Sequence, residues 1–170
     1  MTKQNELLLQ KAGLYASRHQ LTLVKRLGFG THGTVFSAKG NPESGRSAIK
    51  IHSDKEPYLR ERDVYNRLAQ HRVTQVEGFK VPELLRADDT LLVIEMSVVT
   101  RPYLLDFAGA YLDHPPEFPE DVWADWLEKK QEEFGVRWAI VESVLATLRS
   151  YGVHLLDIHP RNITFLDPPD

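Results

Sequence analysis

Three glycines, a lysine and an aspartate–asparagine pair carry the chemistry that this sequence could do. Gly28-Phe29-Gly30-Thr31-His32-Gly33-Thr34-Val35 is a G-x-G-x-x-G-x-V run between two stretches of strand-forming residues. Glycines let the backbone bend and approach phosphate oxygens without side-chain obstruction. A dinucleotide-binding turn would run straight into a helix, whereas Thr34-Val35-Phe36 reads as strand. A P-loop needs Gly-Lys-Ser or Gly-Lys-Thr, and neither occurs. Lys50 ends Ala48-Ile49-Lys50; a compact ammonium on a central strand can neutralise phosphate where a solvent-facing lysine could not. Asp157-Ile158-His159-Pro160-Arg161-Asn162 ends on an amide whose oxygen is a hard ligand for a hard cation. Each feature also has a plainer account: a glycine-tolerant turn, a surface lysine on an edge strand, and an Asx-type turn capped by Asp157 and Asn162.

The elements needed to hold these residues are readable from pattern. Residues 4–17 carry Leu7, Leu8, Ala12 and Tyr15 at roughly helical spacing. Strands are expected at Leu21–Val24, Thr34–Lys39 and Ser47–His52, too closely spaced for parallel crossovers and therefore antiparallel. Pro57 opens a helix over Tyr58–Ala69, and Pro82–Arg86 and Thr90–Met96 give two more strands about a turn at Asp88-Asp89. Beyond Met96 the period becomes helical. Leu104, Leu105 and Phe107 start one expected helix; Asp121–Glu133 is a second, with Val122, Trp123, Trp126 and Leu127 on its apolar side. Arg137–Tyr151 is a third, striped by Ile140, Val141, Val144, Leu145 and Leu148, and Gly152–Phe165 reads as loop and short strand. The expectation is one α+β domain of two lobes dividing near residues 96–100: residues 1–96 a five-stranded antiparallel lobe with an inserted helix, residues 97–170 a small, mostly helical one.

In this order the motifs resemble the protein kinase-like superfamily. A strand–glycine loop–strand covers nucleotide phosphates in kinases, and Ala48-Ile49-Lys50 matches their A-x-K element, with Lys50 lying 22 residues after Gly28. The resemblance implies that Lys50 grips the α- and β-phosphates of ATP. It also implies that a glutamate on the inserted helix holds that lysine. Glu61 fits best, because Val64, Tyr65 and Leu68 follow it as an apolar stripe; Glu56 precedes Pro57 and is expected before the helix. Leu92-Val93-Ile94-Glu95-Met96 is similar to the strand entering the kinase hinge, so adenine would meet backbone groups near Glu95–Val98. The implied nucleotide-binding set is Gly28, Gly30, Gly33, Val35, Ala48, Lys50, Glu95 and Met96. Asp157 and Asn162 match the D-x-x-x-x-N loop: Asp157 would orient the attacking hydroxyl and Asn162 would ligate Mg2+.

The match covers roughly residues 21–166 and departs from the family in places. Leu155-Leu156-Asp157 replaces His-Arg-Asp, which removes the arginine that reads a phosphorylated activation loop. No Asp-Phe-Gly follows Asn162; Asp167 and Asp170 are the nearby carboxylates, which is expected of a truncated or reduced kinase. The resemblance implies an ATP-dependent phosphotransferase acting on a hydroxyl, most simply Ser or Thr of a protein. A nucleotide-binding pseudokinase or scaffold and a small-molecule kinase are the alternatives, the last favoured by His159-Pro160. A protein substrate or regulatory protein is the expected partner.

Composition sets the outer bounds. At 42% hydrophobic and 26% charged residues, the chain can build an apolar core unaided. The absence of cysteine excludes disulfides, thiolate metal sites and cysteine nucleophiles. A formal charge of -3 argues against broad nucleic-acid binding. No apolar run is long enough to cross a bilayer, and the first residues lack a signal-peptide pattern, so a cytoplasmic protein without membrane association is expected.

Overall fold

The computed structural model describes residues 3–43 and 45–167. In chain order the elements are α1 (Lys3–Arg18), β1 (Thr22–Gly30), β2 (Gly33–Lys39), β3 (Arg46–His52), α2 (Lys55–Gln70), β4 (Gln75–Val76) and β5 (Phe79–Lys80). They continue with β6 (Leu84–Asp88), β7 (Val93–Ser97), β8 (Tyr103–Leu104), β9 (Ala110–Leu112), α3 (Glu120–Phe134) and α4 (Trp138–Ser150), and close with β10 (Val153–Leu155) and β11 (Ile163–Thr164). An antiparallel sheet region followed by helices makes the architecture α+β. Among the described residues no helix is long and apolar enough to cross a membrane.

The chain forms two compact units. One takes the described residues up to Arg62 together with Pro82–Val98; the other takes Asp63–Val81 and the described residues from Val99 onward.

The first unit is built on a five-stranded sheet of order β1-β2-β3-β7-β6, every neighbour antiparallel. Side chains alternate across such strands, so each strand feeds two faces. Phe36 and Ala38 of β2, Ile49 and Ile51 of β3 and Val93 of β7 share one face, and α1 seals it with Leu8, Ala12 and Tyr15. These helix positions recur at helical spacing, which gives α1 its buried stripe. Lys50 and Ala48 occupy the alternate positions of β3 and so belong to the opposite face, on the central strand. β1 is an edge strand, almost wholly exposed, with its register broken between Leu23 and Lys25 and again between Arg26 and Gly28. Such irregularities at an edge are common and discourage pairing with another sheet.

Two details of this unit differ from expectation. The glycine run is a continuation of the hairpin, β1 reaching Gly30 and β2 starting at Gly33, with Thr31-His32 alone at the tip. Helix α2 begins at Lys55, so Glu56 lies inside it, and Pro57 is tolerated because the first four helical N–H groups need no intrahelical acceptor.

In the second unit β11, β8, β5 and β4 form one small sheet and β10 pairs with β9. Helix α4 buries Val141, Val144, Leu145 and Leu148. Ile140, expected in that stripe, is 46% exposed, and Val122 and Leu127 of α3 are also exposed. Trp123, Trp126 and Trp138 meet edge to face, and Trp126 Nε1 donates to the Leu156 carbonyl at 3.1 Å. The helix expected from Leu104 does not form. Tyr103 and Leu104 pair instead with Thr164 and Ile163, and Asp106 has φ 66°, a left-handed conformation that no right-handed helix contains. Leu104 and Phe107 are buried nevertheless, because the apolar pattern is satisfied by strand pairing and packing rather than by a helix face.

Candidate functional site

The alternation of β3 brings Ala48, Lys50 and His52 onto one face, where α2 adds Glu61. Lys50 Nζ lies 2.7 Å from Glu61 Oε2, with side-chain exposures of 7% and 1%. The same carboxylate oxygen lies 2.6 Å from His52 Nε2, in a ring that is fully buried. His52 is fixed in turn: its Nδ1 lies 3.3 Å from the Leu92 carbonyl oxygen, and its ring meets Tyr58 edge-on at 5.5 Å. Burial alone would raise the Glu61 pKa, but the Lys50 charge and the His52 hydrogen bond outweigh it and hold the carboxyl at about 2. Glu61 is therefore a carboxylate at neutral pH. Glu56, the rival partner, is exposed and ion-paired with Arg60.

Around Lys50 the register sets the rest of the face. Val35 and Ile94 lie directly opposite Lys50, and Met96 lies opposite Ala48. Ala48 and Met96 are buried and Val35 is half-buried. The Lys50 amine therefore has mainly apolar strand neighbours. Glu95 differs: its position pairs with Ile49 and Arg86, so its side chain belongs to the α1 face. There its carboxylate accepts the Tyr15 hydroxyl and Arg86 Nε, each at 2.8 Å. Burial would raise its pKa, yet the Arg86 and Tyr15 hydrogen bonds win and lower it, while the Tyr15 hydroxyl is pushed up by burial and by Glu95. Glu95 and Arg86 line a cavity of about 430 Å³ on that side, together with His19, Asn41 and Ser47.

The glycines divide by cause. Gly33 is required by the fold: a Cβ there would lie 2.0 Å from the Ile51 carbonyl oxygen, and its φ is +150°. At Gly28 and Gly30 a Cβ would meet nothing within 4 Å. Both are exposed, and neither has a φ that excludes other residues. The hairpin tip is tied to the end of β3 by the Ser53 amide, which donates to the His32 carbonyl at 3.1 Å.

The second unit holds the Asp157–Asn162 segment between β10 and β11. Asn162 is 3% exposed, and both ends of its amide are engaged. Nδ2 donates to the Asp157 carbonyl at 2.6 Å, while Oδ1 accepts the His159 amide at 2.8 Å. His159 Nδ1 accepts the Arg161 amide at 3.1 Å. Asn162 thus staples a turn whose start is Asp157, its side chain reaching back to residues 157 and 159 rather than forward as in an Asx turn. The Asp157 side chain is exposed, and its Cβ would sit 2.6 Å from a Cβ at Gly109. A side chain at position 109 would displace Asp157. Asp167 is exposed, and its carbonyl accepts Arg137 at 2.9 Å; Asp170 lies outside the described residues.

His52 and Gly109 were the residues that sequence reasoning missed. His52 was signalled by the alternation Ala48-Lys50-His52. Gly109 carried no local signal, since its reason is a side chain far along the chain. Among the described residues there is no group of three or more His, Asp or Glu side chains that could hold a metal ion. Asp157 brings an exposed carboxylate, whereas the Asn162 amide oxygen, the expected Mg2+ ligand, is buried and accepts the His159 amide. No protein-family model matches the chain, and no curated protein matches it in sequence.

Proposed function

We propose that the chain is an ATP-dependent phosphotransferase of the protein kinase-like kind, with an ATP γ-phosphoryl passing to a hydroxyl such as Ser or Thr of a protein. The observation that carries this reading is Lys50: an amine on the central strand, almost fully buried, bound at 2.7 Å to a buried glutamate from the helix inserted after that strand. A compact ammonium held in place by Glu61 can neutralise phosphate charge where a freely moving surface lysine could not. Gly28 and Gly30 support the same reading, because the fold gives no steric reason for glycine there, and a backbone close to phosphate does.

In the transfer, the acceptor oxygen forms a bond to the γ-phosphorus as the bond from that phosphorus to the β–γ bridging oxygen breaks, releasing ADP. The acceptor proton passes to the Asp157 carboxylate, which is exposed and whose Cβ has room because residue 109 is glycine. A bound magnesium ion, which the resemblance assigns to Asn162, would supply charge neutralisation for the phosphates. Lys50 supplies the protein's own share of that neutralisation.

The test measures two properties in wild type, Lys50→Ala and Asp157→Asn proteins. ATP with Mg2+ should raise the wild-type melting temperature and leave Lys50→Ala unmoved. Transfer from labelled ATP to a mixed Ser/Thr peptide pool should be lost in both variants, whereas Asp157→Asn keeps the thermal response. No ATP effect on the wild type refutes the reading.

A second reading is a nucleotide-binding scaffold without turnover. It is favoured by Asn162, whose amide oxygen already accepts the His159 N–H. It predicts the thermal response of the wild type with background transfer.

A further inference from the structure

Glu61 is reached by two strand residues, and only one of them is explained by phosphate binding. A carboxylate that is 1% exposed cannot turn to bulk water when a donor is withdrawn, and an unsatisfied buried charge is strongly destabilising. If Lys50 were its sole strong partner, any ligand competing for that amine would loosen Glu61, and with it the start of α2. His52 removes that dependence. Its Nε2 lies 2.6 Å from the same oxygen, and because a carboxylate can only accept, Nε2 carries a proton and donates it to Glu61.

The ring is itself immobilised from several directions. His52 is the last residue of β3, its backbone N–H donates to the Leu92 carbonyl at 2.9 Å, and its partner across β2 is Gly33, the glycine the fold requires. Tyr58, one turn before Glu61 on α2, packs against the ring edge and donates its hydroxyl to Asp89; Arg62 reaches the same carboxylate at 2.8 Å. The first turns of α2 are thus fastened to the sheet through His52 and to the β6–β7 turn through Asp89.

We propose that His52 is the positioning residue of this site: it holds Glu61 against β3 so that the Lys50–Glu61 pair is assembled by the fold itself, before nucleotide, modification or partner arrives. Its consequence for catalysis rests on the ATP reading above; the positioning of Glu61 does not.

The experiment compares wild type, His52→Leu and His52→Gln, the last restoring a side-chain N–H donor. In nucleotide-free protein, amide hydrogen exchange at Leu59–Asp63 should quicken about tenfold or more in His52→Leu relative to Ile49 and Val35, the loss expected for a hydrogen bond to a charged group. His52→Gln should stay within about threefold of wild type, on the same scale. The wild type should also show a slowly exchanging imidazole N–H resonance for His52 that Glu61→Gln shifts, a readout that needs no His52 variant to fold. The affinity for Mg-ATP should fall about tenfold in His52→Leu and recover in His52→Gln. Unchanged exchange in His52→Leu, failure of His52→Gln to rescue, or no protected imidazole proton overturns the proposal. Failure of the wild type to bind ATP, with exchange and resonance as expected, instead removes the phosphotransferase reading and leaves His52 in its role.

Discussion

Glu61 should make the first unit acid-sensitive in a narrow and calculable range. Its carboxyl is held at about 2 against an ordinary value of 4.5. The folded state therefore binds its proton more weakly than the unfolded chain does, and the ionised form favours folding. That stability is complete above about pH 4.5, declines as pH falls, and is gone below about 2. At about 1.4 kcal/mol per pH unit, the interval corresponds to about 3 kcal/mol at neutral pH. Glu61 is 1% exposed, so solvent screening takes little from this figure.

The perturbation is Glu61→Gln, which keeps shape and removes the charge. At pH 7 the variant should be less stable than wild type by about 3 kcal/mol, and the gap should close between pH 4.5 and 2. Asp89 and Asp113 are also held below their ordinary values, by hydrogen bonds from Tyr58 and from Arg67 respectively, but they are common to both proteins and cancel in the difference. The assay must read the first unit. Trp123, Trp126 and Trp138 all belong to the second, so tryptophan fluorescence reports the wrong half. Urea unfolding followed at the Ile49 and Ile51 methyl groups avoids this, since both residues are fully buried in the first unit. A gap that stays constant down to pH 2.5, or that is absent at pH 7, refutes the account of a carboxylate held ionised by Lys50 and His52.

The glycines should separate by cause. Gly33→Ala should destabilise the fold by about 1–3 kcal/mol through the clash with the Ile51 carbonyl, whereas Gly28→Ala and Gly30→Ala should unfold like wild type and lose the thermal response to Mg-ATP. Gly109→Ala should cut phosphoryl transfer about tenfold or more while ATP still stabilises the protein, because the new methyl displaces Asp157 and leaves Lys50 untouched; equal transfer in variant and wild type would count against a positioned Asp157.

What could be read in the sequence followed from local rules, and what could not followed from distant ones. β2 and β3 were legible because Phe36, Ala38, Ile49 and Ile51 alternate with polar positions, and that alternation fixes which face Lys50 joins. The helix after β3 was legible too, although it starts at Lys55 rather than Tyr58 because a proline in the first turn does not mark the first residue. The Lys50–Glu61 contact was within reach for the same reason: strand period and helix period each put one of the pair on a facing surface. The segment at Leu104 was misread because its apolar residues are paired by Ile163 and Thr164, nearly sixty residues later, and no local pattern announces such pairing. Glu95 was legible as part of a strand, but not as a buried acceptor for Tyr15 and Arg86, since both partners come from other elements.

The residues that the fold explains can be set apart from those that it does not, and the site lies among the latter. Gly33 is needed by the Ile51 carbonyl, and Asn162 is needed to close its own turn. Lys50, His52 and Glu61 have no such excuse. They occupy the sheet face opposite the α1-covered core, on a strand whose neighbours are Ile49 and Ile51, where apolar side chains of similar size would bury well. Replacing a buried ionic cluster with well-packed apolar residues is often neutral or stabilising by about 1–4 kcal/mol. A fold selected for stability alone has no use for an amine there. A buried lysine held by a buried carboxylate, which is held by a buried histidine, makes physical sense when the amine must stay charged and oriented for a ligand of opposite sign. The glycines at 28 and 30 argue in the same direction: they forgo the strand stability that other residues would give and fill no gap in the packing. Two independent departures from what the first unit needs to fold, one in its glycine hairpin and one in its central strand, would both be accounted for by the proposed phosphate ligand.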